Sequence, residues 1–359
     1  MNNNSVIENT KLPVVKGFLP VCLIFLILIP YGLIGQNGTY SYPFLIQGVS
    51  ARGVALGSEV LAIDDGDIQL ARLNPSLIRP TMNQALALSY VNYFSGANFA
   101  LAQYARDLGQ TGVYLLSVQY LNYGKFDYAD PSGYRSGRFT ASDVAVSVGW
   151  GRKLSDRFNL GANAKLIYSH YETYQSLGIA VDVAATYHTA SNWIISVVAS
   201  HIGTQLKSYT GQSNPLPFDL RAALSKRFEH VPFRLSLVFD HLENWKLAIN
   251  DPANPAGGFD PLTGDPIFLK GLSKVTDEML RHFIVGGEFY LGKNLVLRGG
   301  YNYRQRKDMS INQRVGMVGF SWGIGIKIKQ FQLNFARNNF HLAGSPTYFS
   351  LTSSLDRFK

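Results

Sequence analysis

The sequence is short of three things, and each shortage removes a class of function. It has one cysteine, Cys22, lying within an apolar N-terminal stretch. A chain cleaved beyond that stretch carries no thiol, which excludes disulfides, zinc thiolates and cysteine nucleophiles. Charged residues are only 16% of the chain, against about 25% in soluble proteins. Long uninterrupted apolar runs are missing too: Phe18–Leu28 is short and broken by Pro20, so it does not make a comfortable transmembrane helix.

Lys11 and Lys16 precede that run, and small residues close it near Gly35-Gln36. A basic stretch, a short apolar core and small residues predict a secretory signal peptide over residues 1–35. A lipoprotein reading of Leu19-Pro-Val-Cys22 fits less well, because the cysteine precedes most of the apolar run. The net charge of +9 is spread along the chain, so it forms no nucleic-acid-binding cluster.

Chemical signatures are also missing. No nucleophile elbow, HExxH, P-loop or dinucleotide fingerprint occurs. The seven histidines are scattered, none paired with another at metal-ligand spacing. The sequence therefore predicts no catalytic, metal-binding or cofactor-binding residues and no enzyme activity. An activity, if present, would need a Ser-His-Asp set at a barrel rim.

What is abundant is period-two alternation. Val144, Val146, Val148 and Trp150 oppose Asp143, Ala145, Ser147 and Gly149; Leu160, Ala162, Ala164, Leu166 and Tyr168 oppose Gly161, Asn163 and Lys165. Val318, Phe320, Trp322, Ile324, Ile326 and Ile328 oppose Gly319, Ser321, Gly323, Gly325 and Lys327 in the same way. Such alternation marks β-strands. The polar faces hold Gly, Ala, Ser, Asn and Thr where a solvated exterior would carry many Lys and Glu. Tyr and Trp cluster toward strand ends, and many strands reach ten residues, enough for a tilted bilayer crossing. The apolar face is therefore predicted to face lipid.

Strands start near residues 84, 97, 112, 139, 157, 176, 191, 216, 232, 281, 294, 315, 330 and 346. Alternate connections are short, and most of the others are long: 124–138, 204–215, 249–280 and 305–314. An even strand count with short turns at one end and long loops at the other predicts an all-β, 14-stranded antiparallel transmembrane outer-membrane barrel over residues 81–359. Both termini then lie in the periplasm. The 249–280 loop, rich in Asp-Pro and Asn-Pro, suits partner contact, and Ser273 is expected to cap a short helix ending at Arg281. The inward charges Asp143, Lys165, Asp182, Arg298 and Lys327 are expected to pair with each other or with a plug. Arg304, Arg306 and Lys307 sit in an external loop and could meet lipopolysaccharide phosphates as readily as water.

Ahead of the first strand, Asp64-Asp65-Gly66-Asp67 resembles the start of a calcium loop, but no Glu stands at the twelfth position. The favoured reading is a turn, with Asp67 capping a helix over Ile68–Leu73 that Asn74-Pro75 ends.

Those residues also carry a resemblance. Ala51-Arg-Gly-Val-Ala-Leu-Gly57, Asp64-Asp65 and Leu73-Asn74-Pro75-Ser-Leu77 resemble the N-terminal signature of the long-chain fatty acid transporter superfamily of outer-membrane barrels. Ser76 replaces the usual Ala. The resemblance implies fourteen strands and an N-terminal plug, here residues 36–80 with Asp64, Asp65, Asp67, Asn74 and Pro75 as its motif. Further segments are similar to the PorV/PorQ group of type IX secretion: Phe239-Asp-His-Leu-Glu-Asn-Trp, Arg281-His-Phe-Ile-Val-Gly-Gly-Glu-Phe, Arg298-Gly-Gly-Tyr-Asn-Tyr-Arg, Gly319-Phe-Ser-Trp-Gly-Ile-Gly-Ile and Phe340-His-Leu-Ala-Gly. That likeness implies a non-enzymatic anchor for the surface attachment complex of PorZ, PorU and PorV, set among outer-membrane lipid and lipopolysaccharide. The alternative is a transporter for hydrophobic ligands such as long-chain fatty acids. It expects an apolar cavity beside the plug and a kinked strand, and Gly299-Gly300 or Gly323-Ile-Gly325 could permit such a bend.

Overall fold

The computed structural model describes residues 40–355, apart from 59, 250, 251, 253, 254, 256, 311–315, 342 and 343. The expected signal peptide and its cleavage site lie outside the described residues. Among the described residues no helix is long and apolar enough to cross a membrane.

Fourteen strands form one antiparallel sheet. They are β1 (Ala85–Asn92), β2 (Asn98–Asp107), β3 (Val113–Ala129), β4 (Arg135–Ser155), β5 (Phe158–Tyr171), β6 (Tyr174–His188) and β7 (Trp193–Lys207). The second half is β8 (Asp219–Arg227), β9 (Phe233–Phe239), β10 (Phe283–Leu291), β11 (Leu295–Asn302), β12 (Phe320–Ile328), β13 (Phe331–Asn338) and β14 (Thr347–Ser354). Each strand pairs with its sequence neighbours, and β1 pairs with β14 from Ala85 opposite Ser354 to Asn92 opposite Thr347. The sheet closes on itself as a barrel. Closure is what lets a β-sheet sit in hydrocarbon, because ladder N–H and C=O groups find partners in the neighbouring strands.

The alternation sorts the faces as expected. On β5, Gly161, Asn163, Lys165, Ile167 and Ser169 are buried inward, while Ala164, Leu166 and Tyr168 are exposed outside. Val146, Val148, Leu166, Ile179, Val181, Ile195, Val197, Leu297, Ile326 and Leu333 make an exposed apolar band around the wall. Tyr90, Tyr120, Tyr168, Phe320 and Phe349 add exposed aromatics near its long-loop end. A soluble monomer does not expose so continuous an apolar surface, and lipid is the solvent that suits it. Val318 departs from the pattern: it precedes β12 and is buried.

The connections refine the expectation. The predicted loop 124–138 is mostly strand, since β3 and β4 pair as far as Ala129 with Arg135 after a register shift between Asn122 and Lys125. Both faces of that hairpin tip stand in water, so nothing imposes alternation there and the strand signal fades. Residues 204–207 likewise belong to β7, leaving 208–218 as the loop. The long β9–β10 connection contains helix α3 (Gly271–Arg281), whose N-cap position is Lys270. Ser273 is not its cap, because its hydroxyl donates backward to the Lys270 carbonyl at 2.7 Å. The loop after β11 begins with helix α4 (Tyr303–Met309), and Asn302 caps it by accepting from the Gln305 amide at 2.9 Å.

Residues 40–84 fold inside the barrel. Ser50 caps helix α1 (Ala51–Ala55), and Asp67 caps helix α2 (Ile68–Ala71) by accepting from the Gln69 amide at 3.0 Å. Helix α2 is shorter than expected. Asn74-Pro75 opens a separate 3-10 turn, Pro75–Leu77, in which Asn74 accepts from the Ser76 amide at 3.0 Å.

An irregular segment in a lumen needs partners for its backbone groups, and the short polar residues facing inward supply them. Ser225 donates to the Ala62 carbonyl (2.6 Å), Gln103 to Ile68 (3.1 Å), Gln119 to Phe44 (3.1 Å) and Asn163 to Arg72 (2.9 Å). Ser76, where the superfamily signature has Ala, bonds Thr186 through its hydroxyl at 2.6 Å.

Inward glycines make room for the same segment. A Cβ at Gly161 would overlap the Pro75 backbone, and one at Gly300 would overlap Leu56 and Gly57. Of the glycines read as possible bends, Gly300 and Gly323 are seats for the plug, Gly323 facing Ala55, whereas Gly299 and Gly325 do not touch it.

Candidate functional site

The plug runs from the long-loop end, where the Tyr42 hydroxyl meets Ser176 at 2.6 Å, to the short-turn end, where Pro75 and Ile78 pack on Gly161 and Gly151. β14 also ends among the short turns.

A charge cluster fixes the plug midway. Arg52 on α1 donates from Nε and Nη2 to Glu288 of β10 at 2.9 and 3.0 Å. The same guanidinium holds Asp65 at 3.0 and 2.7 Å and Asp67 at 2.9 Å. Arg234 on β9 bridges Asp65 and Glu288 at 2.7 and 2.9 Å, and Arg298 on β11 reaches Glu288 at 2.7 Å. Three guanidiniums thus face three carboxylates, with Arg52, Arg234, Arg298, Asp67 and Glu288 all buried. Asp64 lies apart, paired with Arg79 and, at 3.0 Å, with His188.

The predicted motif residues Asp64, Asp65, Asp67, Asn74 and Pro75 are therefore all in the plug. Their carboxylates are engaged by cations of the protein itself. Sequence reasoning missed Arg52, Glu288 and Arg234. An arginine in a run of small residues, and a Glu in the inward phase of β10, were the available signals.

Three of the five expected inward charges pair with a charge: Lys165 contacts Asp182 at 2.6 Å and Arg298 meets Glu288. Asp143 instead accepts from the wall hydroxyls of Tyr123, Tyr171 and Ser169, and Lys327 is exposed where β12 reaches the short-turn end. Arg304, Arg306 and Lys307 lie on α4: Arg304 reaches Asp240 at 3.3 Å, Lys307 lies 3.7 Å from Asp277, and Arg306 bonds the Gly316 carbonyl.

Burial by itself would raise the pKa of Asp65, but Arg52 and then Arg234 outweigh it and hold the carboxyl well below its usual range. A depressed folded pKa contributes stability that is complete above the unfolded value of about 3.9 and is lost as pH falls below it. Plug docking is expected to weaken with acid below about pH 4. Limited proteolysis of the plug at pH 7 and pH 3 with an acid-tolerant protease measures this; equal protection at both would count against the ion-pair account.

Toward the long loops the plug is apolar. Tyr42, Phe44, Leu45, Val49 and Val54 cluster with Val91, Phe99, Leu101, Leu121 and Tyr348 of the wall. Tyr93, Phe94 and Phe340 pack above, with ring centroids 4.5 to 6.2 Å apart.

Beside this cluster the wall is broken. β7 shifts register against β6 between Val181 and Val183, and His201 takes a left-handed backbone (φ 59°). Its amide turns inward to Asp182 at 2.8 Å. β8 pairs with β7 only from Trp193 to Ser200, so residues 201–207 have no strand on that side. Segment 208–218 closes the opening as a strap. Asn214 donates its amide to Gln205 at 2.9 Å, the His201 ring lies 3.0 Å from the Pro217 carbonyl, and Pro215 accepts from the Ser41 amide at 3.0 Å. The strap is thereby tied to both wall and plug. A cavity of about 20 Å³, the room of one water, lies behind it, lined by Leu45, Ile46, Lys165, Asp182, His201 and Arg221.

No family model and no curated protein matches the chain. Solved structures do. A mutant of the monoaromatic hydrocarbon channel TodX aligns at TM-score 0.51 and 12% identity, over 86% of this chain and 97% of that one. The monoaromatic hydrocarbon channel CymD aligns at TM-score 0.47 and 14% identity, over 88% and 99%. A Pseudomonas aeruginosa FadL homologue aligns at TM-score 0.46 and 9% identity, over 85% and 98%. The likeness to TodX concerns architecture and not the secretion group. The chain has the barrel fold of that channel.

Proposed function

We propose that this protein admits small hydrophobic molecules through the outer membrane, with the plug and the 208–218 strap as its gate. The observation that carries this is the unpaired stretch of β7 beside the apolar cluster around Phe44. A molecule dissolved in lipid meets there a wall closed by side-chain and loop contacts in place of a strand ladder, with a small, largely polar cavity at the opening and the apolar plug cluster beside it. The shared fold with a monoaromatic hydrocarbon channel supports the reading. In this reading the short turns face the periplasm, and Arg304, Arg306 and Lys307 stand at the outer rim near lipopolysaccharide. A deletion strain is expected to take up labelled long-chain fatty acid or toluene several-fold more slowly, with uptake restored by the intact gene. Uptake unchanged by deletion would end the proposal.

A second reading rests on the external face. On α3, Leu272, Val275 and Met279 recur along one side and are 82%, 62% and 56% exposed. An unpartnered apolar helix face at the long-loop end suits a docked surface protein, as the PorQ-type resemblance implies for PorZ with PorU and PorV. Replacing those three residues by Ser is expected to release a co-purifying surface protein while leaving uptake intact; unaltered retention would remove the helix from that role. Both readings are non-enzymatic.

A further inference from the structure

The chain leaving β9 folds back over the barrel rim at His241, which holds a left-handed backbone (φ 54°). That turn brings together three side chains from two places: Asp219 at the start of β8, and His241 and Glu243 after β9. One potential ligand atom from each lies within 4.8 Å of the others. His241 Nδ1 is 2.9 Å from Glu243 Oε1 and 3.5 Å from Asp219 Oδ1. A divalent ion bound by N and O atoms at about 2.0–2.2 Å sets neighbouring donors roughly 3.0–3.5 Å apart, so His241 stands near ligand spacing from both carboxylates.

The remaining atoms of each group are held from behind. Asp219 Oδ2 pairs with Arg221 Nε at 3.1 Å, and Glu243 Oε2 accepts from the Leu220 amide at 2.9 Å. His241 Nε2 faces Asp240 Oδ2 at 3.6 Å, and that oxygen is in turn 3.3 Å from Arg304. Such a carboxylate behind a ligating imidazole fixes the ring and raises its basicity. Asp219 is only 4% exposed, and its Oδ1, the atom turned to the shared point, has no hydrogen-bond partner. A buried carboxylate oxygen left without a donor calls for one, and a cation would supply it.

We propose that Asp219, His241 and Glu243 form a divalent-metal site of the zinc class at the long-loop rim. One coordination position stays open, and the bound ion fastens the segment after β9 to the start of β8. Two carboxylates with one imidazole suit zinc better than the all-oxygen shells of calcium or magnesium.

An imidazole must give up its proton to bind a metal, so binding weakens on acidification.

The test uses the full chain purified in detergent, stripped with a chelator and titrated with zinc chloride by calorimetry. One saturable equivalent is expected at pH 7.5, weaker at pH 5.5, with a rise in unfolding temperature on zinc addition. Glu243→Gln keeps a carbonyl oxygen for the Leu220 amide and so keeps the fold, while weakening zinc binding by about tenfold or more; His241→Ala removes it. No saturable uptake by the parent, uptake unchanged in both variants, or a preference for calcium would overturn the proposal.

Discussion

Replacing Arg52 by methionine is expected to free the plug from the barrel. The substitution keeps a long apolar side chain but leaves Asp65, Asp67 and Glu288 facing only Arg234 and Arg298. Removing one partner from a buried ion cluster costs about 3–5 kcal/mol, because the remaining charge stays desolvated and unpaired. The strand ladder does not depend on Arg52, so the loss falls on plug docking and spares barrel closure. Protease cleavage at Arg72 or Arg79 should appear in the variant and not in the parent, with increased conductance in planar bilayers. Arg52→Lys should be intermediate, since one ammonium does not reproduce a guanidinium fork spread over three carboxylates. Parent-like protection in Arg52→Met would show that the cluster is not what seats the plug.

Two adjacent glycines should respond in opposite ways. Gly300→Val sets a Cβ into the backbone of Leu56 and Gly57, whereas nothing lies within 4 Å of a Cβ at Gly299. Overpacking a core costs about 1–3 kcal/mol when side chains can move aside. At Gly300 the obstacle is backbone held between α1 and the wall, so the upper part of that range or more is expected. Gly299→Val adds a β-branched residue to a strand surface facing lipid and should be neutral or mildly stabilising. Thermal unfolding of the two variants, with plug protection measured alongside, tests the pair. Equal behaviour would mean that the inward glycines are not plug seats.

The strand phase was legible because lipid and lumen act on alternate residues all along each crossing. Leu166 and Tyr168 outside, Lys165 and Ser169 inside, need no knowledge of the neighbouring strand. The signal ended where its cause ended: above the apolar band the β3–β4 hairpin meets water on both faces, and 124–138 reads as loop. The cap at Asp67 was legible too, since it bonds the amide two residues on; Asn74 read only as a helix end, and its cap of the following turn appears in the structure. Helix α2 still came out shorter than expected, because the plug turns to follow the lumen.

The sequence by itself determined a cysteine-poor barrel with a capped segment before its first strand. Only the tertiary structure decided what the polar residues do. Arg52 meets Glu288 across 236 positions, the wall opens at His201, and Asp219 joins His241 and Glu243 at the rim. Periodicity and caps arise from interactions within a few residues and from a uniform surrounding solvent. Those three arrangements exist only once the ladder has closed and fixed which inward residues share a level of the lumen.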